Sequence, residues 1–80
     1  MVYIYILYSE THNRYYVGMT ENIEQRLTYH NEGQVKSTKA YKPWRLVRFE
    51  KYKSKMEARV REKYLKSAAG RWWRNNNLGM

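Results

Sequence analysis

Residues Val2 to Tyr8 read VYIYILY, an unbroken run of β-branched, aromatic and aliphatic side chains. Such a run is a strand with apolar groups on both faces, so it belongs in the middle of a sheet. No basic residue precedes it and it passes directly into Ser9 and Glu10. It is therefore expected to be part of the fold and not a secretory signal. Eighty residues suffice for one domain, and a domain that short buries only about 60 % of its unfolded surface. Nine Tyr and three Trp enlarge the small core, since each aromatic buries on the order of 150–250 Å².

The polar stretch Ser9 to Arg14 is of hairpin length, and Tyr15 to Met19 (YYVGM) forms a second strand antiparallel to the first. Thr20 is the expected N-cap of a helix running to about Asn31, with Glu21 and Glu24 at its positive end. Ile23, Leu27 and His30 share one face of that helix, and Gly33 ends it. Gln34 to Pro43 has no period and reads as a loop. Trp44 to Tyr52 alternates as a third strand, with Trp44 read as core. Ser54 and Glu57 form a capping box for a helix to about Ser67, with Met56, Val60 and Tyr64 on one face and Ala58, Glu62 and Leu65 beside it. Gly70 is expected to interrupt, Arg71 to Arg74 to add one helical turn, and residues 76–80 to form a frayed tail after a single domain over 1–75. The order is β-β-α-β-α, a compact α+β domain.

Sixteen Lys and Arg face seven Asp and Glu, a net charge of +9, which points to a polyanionic partner, most simply nucleic acid. The charges are spread along the chain and not gathered beside an apolar anchor, which disfavours a membrane surface. No segment approaches the roughly 18 apolar residues of a membrane span. With no Cys there is neither a disulfide nor a thiolate metal site, which fits a reducing cytoplasm.

Tyr3-Ile4-Tyr5 on the first strand and Tyr16-Val17-Gly18 on the second are followed by Arg26 and His30 in Q-R-L-x-x-H. Glu62 then follows in A-x-x-x-E-K-Y-L-K. This ordered set resembles the GIY-YIG nuclease superfamily, in particular its short single-domain bacterial members related to the UvrC N-terminal catalytic domain. Lys36-Ser37-Thr38-Lys39 and Lys42-Pro43-Trp44 resemble the middle of those members. One position departs, Tyr3 standing where the family name has Gly. The resemblance covers Val2 to about Trp73. It implies a small three-stranded antiparallel sheet flanked by helices, and a phosphodiesterase that uses Mg²⁺ or Mn²⁺ held by Glu62.

Phosphodiester hydrolysis needs an activated water and stabilisation of charge on the phosphoryl group and leaving oxygen. One carboxylate with substrate phosphate and waters is an ordinary Mg²⁺ arrangement. A hairpin turn centred near Glu10 and Thr11 sets Tyr5 directly opposite Tyr16, two phenols together on one face. The resemblance makes Tyr5 the general base or the group that orients the water, with Tyr16 assisting, and makes Arg26 the holder of the scissile phosphate. A free phenol with pKa near 10 is a poor base; Arg26, the metal and the positive field are expected to favour the phenolate. His30, on the face of Arg26, is expected to bond a phosphate or relay a proton. Gly18 lets backbone or substrate approach. Lys36, Ser37, Thr38, Lys39 and Lys42, with Lys66, are read as nucleic-acid contacts, and Tyr41, Trp72 and Trp73 as stacking platforms.

Three readings follow. The first is a metal-dependent endonuclease acting on DNA in repair or recombination, with low sequence specificity because the family draws specificity from attached domains. The second is a non-catalytic nucleic-acid-binding module on the same fold. The third is a protein-interaction domain recruited to a larger complex. Taken singly, each residue also has a plain structural role: strand aromatics for the tyrosines, a dipole partner for His30, and an i, i+4 pair with Lys66 for Glu62.

Overall fold

The double-sided apolar strand takes the centre of the sheet. The computed structural model describes residues 1–78. Its strands are β1 (Val2–Ser9), β2 (Arg14–Thr20) and β3 (Arg45–Tyr52), with helices α1 (Ile23–Asn31), α2 (Lys55–Lys66) and α3 (Ala68–Asn77) and one 3-10 turn at Lys39–Tyr41. The strand order is β2-β1-β3, antiparallel throughout. Alternation along β1 divides the core. Val2, Ile4 and Ile6 join Val17, Ala58 and Leu65 under α2 and α3. Tyr5 and Leu7 join Trp44, with Leu27 and Tyr16 packed against them, on the α1 side. Each fully buried side chain of this size stabilises by about 1.5–3 kcal/mol. The α+β architecture is the one the sequence led us to expect.

The hairpin register differs from expectation. Its centre falls between Thr11 and His12, because Ser9 pairs with Arg14 and Tyr8 with Tyr15. Asn13 takes the left-handed conformation at φ 51°, which Asn tolerates, and its Oδ1 accepts from the Tyr8 hydroxyl at 2.8 Å. Tyr5 therefore lies opposite Gly18, and Tyr16 opposite Leu7. The two phenols are diagonal and not directly opposed. The two-residue slip keeps them on one face, because the pleat has period two.

The N-cap of α1 is Asn22 and not Thr20. Asn22 Oδ1 accepts from Gln25 N at 3.1 Å, while Thr20 ends β2 and accepts from Asn22 N. Gly33 closes the helix with φ +78°, as expected of a C-terminal glycine. Trp44 precedes β3 and is clamped by Asn31, which accepts from the Trp44 amide at 2.6 Å and donates to its carbonyl at 3.0 Å.

Ser54 caps α2, accepting from Glu57 N at 3.2 Å. The helix faces the sheet with Ala58 and Leu65, while Met56 is 79 % and Val60 67 % exposed. The expected Met56–Val60–Tyr64 face is thus the outer one. Its rotation is set by Arg61, which donates to both oxygens of Glu50 on β3 at 2.8 and 3.0 Å. Glu50 also accepts from Tyr52 and Arg48, and Arg48 and Arg61 both lie over the Trp73 ring. Burial alone would raise the Glu50 carboxyl, but these hydrogen bonds outweigh it and hold it at about 2.

The break after α2 is at Ser67, which caps both helices. Gly70 lies inside α3 and does not interrupt it. A Cβ there would strike the Leu65 carbonyl, so glycine is what lets α3 fold against the end of α2. The RWWR segment belongs to a ten-residue helix that includes Asn75 to Asn77, and Leu78 packs on the helix-side core. Asn76, Asn77 and Leu78 are expected in a frayed tail and are instead ordered parts of the fold; the last two residues of that tail, at 79–80, lie outside the described residues.

Candidate functional site

Tyr5 is the centre of the α1-side core. A Cβ on Gly18 would lie on the Tyr5 hydroxyl and Cζ, so the glycine of Y-V-G makes room for this phenol. The Tyr5 hydroxyl meets His30 Nε2 at 3.0 Å, and Arg26 Nε donates to its oxygen at 3.4 Å. One helix supplies both partners, at positions four apart on one face. Tyr16 packs over the pair, its ring centroid 4.9 Å from His30 and 6.2 Å from Tyr5.

Behind His30 stands Thr38. Its Oγ1 is 2.7 Å from His30 Nδ1 and donates to the Val35 carbonyl at 3.3 Å. A threonine hydroxyl has one proton and a carbonyl only accepts. In the tautomer that leaves this proton on Val35, His30 Nδ1 carries the hydrogen and donates to Thr38. Nε2 is then an acceptor, and Tyr5 is its donor. The chain of donors runs Arg26 to Tyr5 to His30 to Thr38 to Val35. The Thr38 carbonyl in turn accepts from the Trp44 indole at 3.0 Å, which fixes the loop.

Electrostatics agree with that order. Burial, reinforced by the charge of Arg26, lowers His30 to about 4, so its imidazole is neutral at pH 7. Burial also raises Tyr5, and the opposing hydrogen bond from Arg26 does not overcome it. Arg26 favours the phenolate, as expected, but desolvation outweighs it, so Tyr5 rests as the neutral phenol. Arg26 is held charged, chiefly by its bond to Tyr5, and lies half-buried at the outer end of the chain.

Glu62 comes from α2, in the layer across the sheet, yet its charge is felt at Tyr5. Its side chain is 20 % exposed and bound to Lys66 at 3.1 Å. Among the described residues no group of three or more His, Cys, Asp or Glu surrounds a common point. A cation here would have one carboxylate, with the remaining positions left to phosphate and water, an arrangement Mg²⁺ accepts. Glu62 is the carboxylate that could take that role, and its Oε2 is now paired with Lys66.

Tyr5, Tyr16, Arg26 and His30 are thus in one cluster, with Glu62 within electrostatic reach. Lys36, Ser37, Lys39 and Lys42 are exposed on the loop between α1 and β3. Thr38, assigned to nucleic-acid contact, is only 1 % exposed and faces His30. It is a support for the imidazole, a role the sequence reading missed. The available signal was a hydroxyl among lysines, in a loop that has to fold back over the helix. Lys66 is engaged by Glu62. Trp72 is exposed, whereas Trp73 is half-buried and covered by two arginines.

The GIY-YIG catalytic domain model matches residues 1–76. The chain is 42 % identical over 67 residues to UPF0213 protein CPE1444 of Clostridium perfringens (strain 13 / Type A), a match spanning 82 % of this chain and 71 % of that protein. It is 41 % identical over 66 residues to UPF0213 protein SH2523 of Staphylococcus haemolyticus, spanning 81 % and 79 % of the two. The solution NMR structure of UPF0213 protein BH0048 from Bacillus halodurans superposes with a TM-score of 0.58 at 30 % identity, covering 99 % of this chain and 88 % of that one.

Proposed function

The chain belongs to the GIY-YIG catalytic-domain family, a nuclease-type fold, and from that premise we propose that it is a metal-dependent endonuclease that hydrolyses DNA phosphodiesters with low sequence specificity, acting in the cytoplasm in repair or recombination. The observation that carries the reading is the buried Tyr5–His30–Thr38 chain with Arg26 at its outer end. A strand tyrosine needed only for packing does not require a neutral imidazole at 3.0 Å or a helical arginine on its oxygen.

The scissile phosphate lies against Arg26, whose charge stabilises the developing negative oxygens. The attacking water gives a proton to the Tyr5 oxygen as the Tyr5 proton passes to His30 Nε2. The neutral phenol is thus never required to be a strong base by itself; the imidazole takes the positive charge against the burial and the Arg26 charge that keep it neutral at rest, and the bound phosphate anion offsets them. Thr38 keeps Nε2 free to accept. Tyr16, half-buried beside both rings, borders the water on the solvent side. Glu62 would hold Mg²⁺ or Mn²⁺, which would supply Lewis-acid stabilisation of the charge that develops in the reaction. Low specificity follows from contacts made by charge on phosphate.

The test is cleavage of single-stranded, nicked and branched DNA at low salt with Mg²⁺ or Mn²⁺. Wild type is expected to cut and Glu62→Ala to be inactive. Equal trace activity in both overturns the nuclease reading. Salt-dependent binding without turnover would make the chain a nucleic-acid-binding module.

A further inference from the structure

A second basic site lies on the opposite side of the sheet edge. A cleft of about 400 Å³ is lined by Asn13, Arg14 and Tyr15 from the hairpin and by Arg71, Arg74 and Asn75 from α3. The three α3 residues stand at i, i+3 and i+4 and so share one face. Among the described residues no carboxylate lines the cleft.

Its arginines are poorly compensated. Arg61, nearby on α2, has both oxygens of Glu50. Arg71 has no side-chain hydrogen bond or ion pair among the described residues. Arg74 donates one Nη to the Leu65 carbonyl at 2.9 Å and lies over the Tyr15 ring, yet its Nε is buried without a partner. Burial and the charge of Arg71 both press against the charged form of Arg74. Two crowded like charges are relieved by an anion in the cleft.

The position says which anion. β2 is an edge strand, and consecutive residues on a strand point to opposite faces. Tyr16 faces the Tyr5–Arg26 cluster while its neighbour Tyr15 lines the cleft. Between them at the strand end, the Arg14 guanidinium stacks on Tyr41 at 4.4 Å, continuing the positive charge around the edge. We propose that the Arg71–Arg74 cleft is a second phosphate-binding site, which grips the nucleic-acid backbone as it passes around the β2 edge from the catalytic face. The site deepens the nucleic-acid reading and does not depend on turnover.

The test is binding of a fluorescein-labelled single-stranded oligonucleotide in EDTA across a range of KCl, followed by anisotropy. Arg71 is exposed, so Arg71→Ala leaves the fold intact. It is expected to weaken binding on the order of tenfold, the loss of one charge-assisted bond. It should also lower the slope of log K against log salt by about 0.7. Lys53→Ala removes the same charge at another exposed position and is expected to change affinity less than about twofold, the difference between a contact and a diffuse charge. An Arg71→Ala protein that matches wild type in affinity and slope, or only matches Lys53→Ala, overturns the site. Arg71 and Arg74 Nε–H resonances should shift with the oligonucleotide and not with inorganic phosphate at equal concentration. Equal shifts would make this a free-anion site and overturn the backbone assignment. Because no metal or cleavage enters these measurements, failure of the nuclease reading would appear separately, as binding without turnover.

Discussion

Thr38→Val isolates the role of one hydroxyl. Valine has nearly the shape of threonine, so packing is preserved and Oγ1 is replaced by a methyl. The site is 1 % exposed, which leaves no water to take its place. His30 Nδ1–H then loses its 2.7 Å acceptor, and a buried donor without a partner costs about 1–3 kcal/mol. For a domain of this size each kcal/mol lowers Tm by roughly 4–8 °C, so a fall of about 5–20 °C is expected on thermal unfolding at pH 7. The imidazole is also released to place its proton on Nε2. Tyr5 then has no acceptor, and the cleavage rate falls by on order of 10²-fold, the lower range for loss of a positioned proton acceptor. Thr38→Ser keeps the hydroxyl and restores the tautomer, read directly from the ¹⁵N shifts of the His30 ring. A Thr38→Val protein with wild-type Tm and Nδ1–H still populated would show that the hydroxyl does not hold the imidazole, as would a Thr38→Ser protein as impaired as the valine variant.

Gly18→Ala drives a methyl onto the Tyr5 hydroxyl; it should cost about 1–3 kcal/mol by overpacking and abolish cleavage, checked by urea unfolding and gel assay. Stability should fall with acid in two windows. His30 is lowered from 6.5 to about 4, so the unfolded chain binds a proton that the folded one refuses. Its contribution, roughly 3 kcal/mol, is complete above pH 6.5 and is lost as pH falls to 4. Glu50, lowered from 4.5 to about 2, contributes above pH 4.5 and loses that contribution as pH falls to 2. Urea unfolding from pH 7 to 2 measures both, and His30→Asn should flatten the upper window only. Lys66→Met frees Glu62 from its 3.1 Å partner and should tighten Mn²⁺ binding several-fold by electron paramagnetic resonance, on the order of a removed surface ion pair, while Glu62→Ala should remove it.

The centre of the fold was legible because it depends on local pattern. VYIYILY has one sensible place in a sheet, and the spacing of Tyr5, Tyr16, Arg26 and His30 survives small errors of register because strand and helix periods keep them on one face. Features set by distant partners were not legible. The hairpin register follows Asn13, which takes the left-handed angle and accepts from the Tyr8 hydroxyl, a bond that exists only once the turn has formed. The rotation of α2 follows from Glu50, eleven residues from Arg61, and not from the apolar Met56 and Val60. Gly70 reads as a stop until the Leu65 carbonyl is seen against it. The low pKa of His30 and the neutrality of Tyr5 come from burial, and Thr38 was misassigned to the surface because its hydroxyl matters only after the loop folds over α1.

The proposed catalysis turns on proton transfer from Tyr5 to His30, and single-turnover cleavage by Tyr5→Phe with Mg²⁺ isolates that step. Phenylalanine keeps the ring beneath Gly18 and removes the hydroxyl that meets His30 at 3.0 Å. The predicted result is a cleavage rate at least about 10²-fold below wild type with DNA binding unchanged in EDTA. A Tyr5→Phe protein that cleaves at the wild-type rate would contradict it.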